Sequence, residues 1–177
     1  GTTRVKSPGN GGFSTTDANE LADTQIASLS TTQLGAFGVT NFSALDATQI
    51  GALTTTQIGA LTSTQAQGLT ATNTAALTTA QIGALATTNL AALGAGAVKA
   101  LDATQFGALN ATQVKALTST QIGALTATDV ADITTTQIAA LTTTQISGLN
   151  ATSVGELLDT QIAAFAGRES AAARDGE

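Results

Sequence analysis

A leucine, or a bulky residue in its place, falls at every eighth position from Leu21 to Phe165. The phrase "LTTTQIGAL" at residues 53–61 returns as "LTSTQIGAL" from Leu117 and "ITTTQIAAL" from Ile133. With the leucine as position one, position six is the second apolar site, running from Ile26 to Ile162, and only Ala66 and Thr74 lack bulk there. Position two is Thr, Ser, Asp or Asn in 13 of 18 octads, and position five is Gln in 12 and Asn in three more. Position four is Thr except at Ala80 and Gly96, and position eight is Ala in 13 octads.

An eight-residue period excludes one long helix. At 100° per residue the leucines drift by about 80° per octad, so they form no stripe, and coiled coils need periods near 3.5 or 3.67. A chain of very short helices uses every position. Position two is an N-cap whose side-chain oxygen accepts a hydrogen bond from an otherwise orphaned backbone N–H. Position five, three residues on, completes a capping box, and positions one and six form the apolar staple that flanks a helix start. The expected caps are Thr54 with Gln57, Thr62 with Gln65, Thr118 with Gln121, Thr134 with Gln137, and Thr142 with Gln145. The expected core includes Leu53, Ile58, Leu61, Leu117, Ile122, Leu125, Ile138, Leu141 and Ile146. Gly at position seven, as at Gly59, is expected to weaken each helix so that it ends. The Thr at position four has no role in the box, so its hydroxyl is expected to bond a carbonyl of a neighbouring unit.

A β-solenoid with 16-residue coils is the alternative. It stacks Thr-x-Thr pairs such as Thr54 with Thr56, and Thr and Ile favour strands. Positions one and six have opposite parity, however, so a straight strand points them to opposite faces. The fold expected is therefore all-α, a solenoid of capped helices with one per octad. Helices this short are not stable alone, so the octads must stack into a quasi-one-dimensional array.

Residues 1–20 carry the only Pro and a Gly cluster and read as an arm or linker, although "STTDANEL" could cap a first helical unit; 21–165 form the repeat; 166–177 read as a charged, solvated tail. No N-terminal signal is visible. The octad Leu93–Ala100, "LGAGAVKA", lacks both the cap and the Gln and reads as an irregularity or bend. The end octads hardly differ from the others, so either the arm and tail cover the ends or the ends meet other copies, the second of which suggests a filament.

Composition narrows the function. Only 10% of residues are charged, the net charge is −6, and Cys and His are absent. A thiolate or imidazole metal site and a Ser-His-Asp triad are thereby excluded. Six Lys and Arg in the whole chain do not make a phosphate-binding surface. Thr, Gln and Asn interrupt every apolar run well below the roughly 20 residues of a membrane span. Asp129 with Asp132, and Glu156 with Asp159, are spaced three apart but read as caps or a solvated face. Asn110 and Asn150 lie in sequons that the octad generates by itself, whereas Asn41 lies in one outside that pattern.

The octad resembles Leu-Thr-x-x-Gln-Ile-x-x tracts of large, low-charge secreted or surface proteins of bacteria. "LTTTQI" is also similar to the opening of TAL-effector repeats, which starts a helix, but the period here is shorter and the basic charge is missing. The first resemblance implies an extracellular, adhesin-like or structural setting. The expectation is a non-enzymatic protein with no catalytic, cofactor or metal site, acting as a filament subunit, stalk or spacer. Its expected partner is itself, end to end or laterally. In the β reading, Thr rows offer instead a surface for ice or polysaccharide.

Overall fold

The computed structural model describes residues 14–174, with side chains described through Gly167. Among these residues every element is a helix and no strand occurs, so the β-solenoid is excluded. The helices are α1 (Thr15–Asn19), α2 (Asp23–Ser28), α3 (Thr31–Gly35), α4 (Val39–Ala44), α5 (Ala47–Gly51), α6 (Thr55–Gly59), α7 (Ser63–Gln67), α8 (Ala71–Ala75), α9 (Thr79–Ala84) and α10 (Thr87–Ala92). They continue as α11 (Ala95–Lys99), α12 (Ala103–Gly107), α13 (Ala111–Ala116), α14 (Ser119–Gly123), α15 (Ala127–Ala131), α16 (Thr135–Ala140), α17 (Thr143–Gly148), α18 (Ala151–Gly155) and α19 (Asp159–Arg174). Each of the first 18 has five or six residues, one helix per octad.

Each helix packs against the third one along: α1 on α4, α7 on α10, α14 on α17, α16 on α19. One coil of the solenoid is therefore three octads, or 3 × 8 = 24 residues. Positions one and six line its interior. Leu53, Ile58, Leu61, Leu117, Ile122, Leu125, Ile138 and Leu141 are all buried, and Ile146 is partly buried against the same core. The staple pair Phe37 and Phe42 shows the contact directly, with ring centroids 6.1 Å apart in an edge-on arrangement. The buried Thr74 occupies an apolar site because its hydroxyl donates back to the Thr70 carbonyl at 2.8 Å. Ala66 and Gly68 are small where α7 meets the fully buried Phe42 of α4. A Cβ on Gly68 would lie 2.9 Å from that of Phe42.

Three features differ from the sequence reading. First, α1 lies inside the stretch assigned as arm; its Ser14 and Asp17 form a capping box, and Ala18 is fully buried. The remainder of that arm, to residue 13, lies outside the described residues, and α19 carries the chain as helix past Phe165 to Arg174. Second, the Leu93–Ala100 octad is not a bend. It forms α11, which packs on α8 and α14 like its neighbours, because Leu93 and Val98 stay buried and small residues let α11 approach α8.

Third, glycine is not required to end a helix: α6 does end at Gly59, but α7 and α11 end at the same octad position with Gln67 and Lys99, and α9 runs past Gly83 to Ala84. The α13 helix has Lys115 at position seven and ends at Leu117 just as α9, with Gly83, ends at Leu85. In α9 and α13 the cap is the next position-one residue, which turns extended (Leu117 φ −63°, ψ 142°), whereas α6 and α14 end one residue sooner and are capped by a position-eight alanine still in helical conformation. Glycine matters where coils come close. A Cβ on Gly123 would lie 2.5 Å from the Gly148 carbonyl oxygen, whereas one on Gly83 meets nothing within 4 Å.

These environments predict opposite signs for one substitution. In urea unfolding, Gly83→Ala should stabilise by about 0.5–1 kcal/mol through backbone entropy. Gly123→Ala should destabilise by about 1 kcal/mol or more, since backbone must move to admit the methyl.

Candidate functional site: a ladder of side-chain amides between coils

The expected capping pairs meet in the structure. The Thr54 backbone N–H donates to Gln57 Oε1 at 2.7 Å, and the Gln57 N–H donates to Thr54 Oγ1 at 3.2 Å. Thr62 with Gln65, Thr118 with Gln121, Thr134 with Gln137, and Thr142 with Gln145 repeat this exchange. At Ala22, Gly38 and Leu158, where position two has no side-chain acceptor, half of the box persists: the Ala22 N–H, for example, donates to Gln25 Oε1 at 2.8 Å.

The box uses only the oxygen of the amide. The nitrogen reaches the preceding coil. Gln57 Nε2 donates to the carbonyls of Ile26 and Leu29, both at 2.8 Å. Gln121 Nε2 does the same to Leu90 at 2.8 Å and Leu93 at 2.7 Å. The position-one acceptor always lies 28 residues earlier, which is one 24-residue coil plus the four residues from position one to position five. Asn73 and Asn89 reach the same class of carbonyl at 2.8 and 2.9 Å, and the Ser153 hydroxyl reaches Leu125 at 3.3 Å. These amides are almost wholly buried; Gln57 and Gln121 are each 2% exposed.

The 15 position-one carbonyls from Leu21 to Ile133 receive 13 such donors. The two gaps fall where position five cannot donate. Ala97 has no polar group for Leu69, and the Asp129 carboxylate has no N–H for Leu101. Asp129 still accepts the Thr126 N–H at 2.7 Å. Of the helix pairs three apart, α12 and α15, which flank that gap, touch least.

This second function of position five is absent from the sequence reading, yet a signal for it exists. A capping box accepts Glu as readily as Gln, but no octad has Glu at position five. Only an NH2 group serves both coils. The same bonds explain why position four departs from expectation. Thr56 and its equivalents are exposed, and none of their hydroxyls makes a hydrogen bond among the described residues. The carbonyls they were expected to reach are occupied by the amides.

The remaining candidates do not converge. Asp129 is part of a cap, while Asp132, Glu156 and Asp159 are exposed at helix ends. Asn110 and Asn150 are N-caps, and Asn41 is buried at position five. Among the described residues no three His, Cys, Asp or Glu group together, and no helix is long and apolar enough to cross a membrane. A depression of about 220 Å³ lined by Ala111, Thr112, Lys115, Ala139 and Ala140 is open and shallow.

Comparison with known sequences agrees with this periodic architecture. Residues 26–63 and 96–127 match the family model of the ALTTAQ repeat. The chain is a repeat protein. No curated protein and no solved structure gives a significant match.

Two substitutions test the ladder. Gln121→Glu keeps the cap oxygen but places a carboxylate against two carbonyls. It should cost about 3 kcal/mol at neutral pH, the scale of a buried unpaired charge. Burial raises the folded-state pKa of such a group, so part of the loss should return as pH falls and the acid regains an O–H donor. Asp129→Gln should supply the missing rung and stabilise by about 1 kcal/mol. Urea denaturation of each variant at pH 7, and of Gln121→Glu also at pH 4, reads all three effects.

Proposed function

We propose that this chain is a non-enzymatic, extracellular structural protein whose solenoid serves as a stalk, spacer or filament subunit. The ladder carries this reading. The position-five amides are spent inside the fold, joining one coil to the next, and what remains outside, the regular position-four Thr included, is a bland surface of Thr, Ser, Ala and Gly. Such a design sets length and cohesion by repeat number. The sparse Lys and Arg give no reason to invoke nucleic acid as a partner. The low charge, the absence of Cys and the likeness to bacterial surface repeats support the extracellular setting.

The ice- or polysaccharide-binding alternative depended on flat Thr-x-Thr rows along strands. In the helices Thr54 and Thr56 are two residues apart, about 200° around the axis, and the Thr54 oxygen is engaged as a cap. The strand-borne row on which that reading rested does not form.

Two in-frame deletions of one coil each, residues 53–76 and residues 101–124, test the proposal in the source cells. A spacer should be shortened alike by both, and antibody should label it on intact cells in either form. Loss of function with one deletion but not the other would point to a localised binding site and remove the spacer reading. Labelling only after permeabilisation would remove the extracellular one.

A further inference from the structure

The two ends of the described solenoid are chemically complementary. Interior position-six side chains are covered by the coil that follows; Ile122 and Val130, for example, are fully buried. In the last coil that cover is missing. The position-six residues Val154 and Ile162 are 46% and 50% exposed; with Leu158, a position-two residue that is 54% exposed, they are the exposed large hydrophobics among the described residues. Among the described residues the position-one carbonyls of this coil, at Leu141, Leu149 and Leu157, accept no side-chain donor, although the 15 before them receive 13. The octad pattern stops at Phe165, so the residues immediately after it do not continue the repeat.

At the other end the donors are in surplus. Gln25 and Gln33 accept the Ala22 and Ser30 N–H groups through Oε1, as every capping Gln does. Among the described residues their Nε2 groups find no acceptor, and Gln33 is exposed. Gln49 is the first Gln in the chain whose amide finds carbonyls, those of Ala18, Asn19 and Leu21. One end thus presents exposed aliphatic side chains with unclaimed carbonyls, and the other presents unclaimed amides. Donors and acceptors both recur every eight residues, the spacing of the interior rungs.

We propose that the C-terminal coil, around Val154, Leu158 and Ile162, is the seat for the N-terminal coil of a second copy of this chain, with Gln25 and Gln33 completing the amide ladder across the junction. The contact repeats the interior packing of coil on coil between molecules. It is heterologous, because a different surface is used on each copy, so it propagates into an open filament and does not close as a two-fold dimer. The inference rests on the filament form of the proposed function and gives that filament its polarity and its joint.

Two variants of the full chain separate the ends. Gln25→Glu with Gln33→Glu keeps each local cap but removes the donor and sets a carboxylate against the partner's carbonyls. Val154→Lys with Ile162→Lys changes side chains already half exposed, and circular dichroism verifies that both double variants fold. Sedimentation velocity of the wild-type chain should show concentration-dependent elongated oligomers. Either variant alone should need about tenfold or more higher concentration to associate, as expected when a buried aliphatic contact or hydrogen-bonded rung is lost. Mixed, the two variants should form a one-to-one dimer and no longer species, since only one pair of intact ends remains. A wild-type chain that stays monomeric at all concentrations overturns the proposal. So does assembly that both variants leave unchanged, which would place the contact elsewhere. Neither result touches the spacer reading, which the coil deletions test separately.

Discussion

The fold depends on a single carboxamide that faces two ways. At position five the oxygen holds the start of its own helix, and the nitrogen holds the end of a helix one coil back. A helix of five residues cannot satisfy its own terminal N–H and C=O groups, and 18 such helices in sequence expose many of them. Glutamine resolves both ends with one side chain. Burying it is favourable because every polar atom is used; among the described residues no buried side-chain nitrogen or oxygen lacks a partner. The apolar positions supply the driving force for collapse, but without the amide their column would have no defined register between coils.

That division explains what could be read from the sequence. The staple and the cap act over five and three residues, so Leu53, Thr54, Gln57 and Ile58 announce a helix start without any tertiary knowledge. The partner of Gln57 Nε2 is 28 residues away, and its position depends on three octads closing one coil. That number follows from how sharply the extended position-one residue redirects the chain, which no residue identity encodes. The position-four threonine misled for the same reason: the carbonyl it was assigned to had another donor. The glycine at position seven was read as a local helix breaker, whereas Gly123 answers to a backbone one coil away. In each case the local chemistry was legible and the contact between coils was not.

The ladder is uneven, and its two gaps behave differently. Around Ala97 the missing amide coincides with small residues that let α11 lie close on α8. Around Asp129 no such compensation occurs, and α15 rests only lightly on α12. A nearest-neighbour array distributes its stability interface by interface, so these two sites, equal in hydrogen bonds lost, are unequal in cohesion. The weaker one divides a long amino-terminal stack from a short carboxy-terminal one.

The direction of the rungs has a mechanical meaning. They join successive coils, so tension applied at the ends loads them one after another along the rod, unlike the parallel bonds of a sheared sheet. Rungs in series part singly, and each parted coil of 24 residues can extend to about 80 Å of chain. In such a series every coil interface bears the whole load, and the one between α12 and α15, short of a rung, holds its neighbours least.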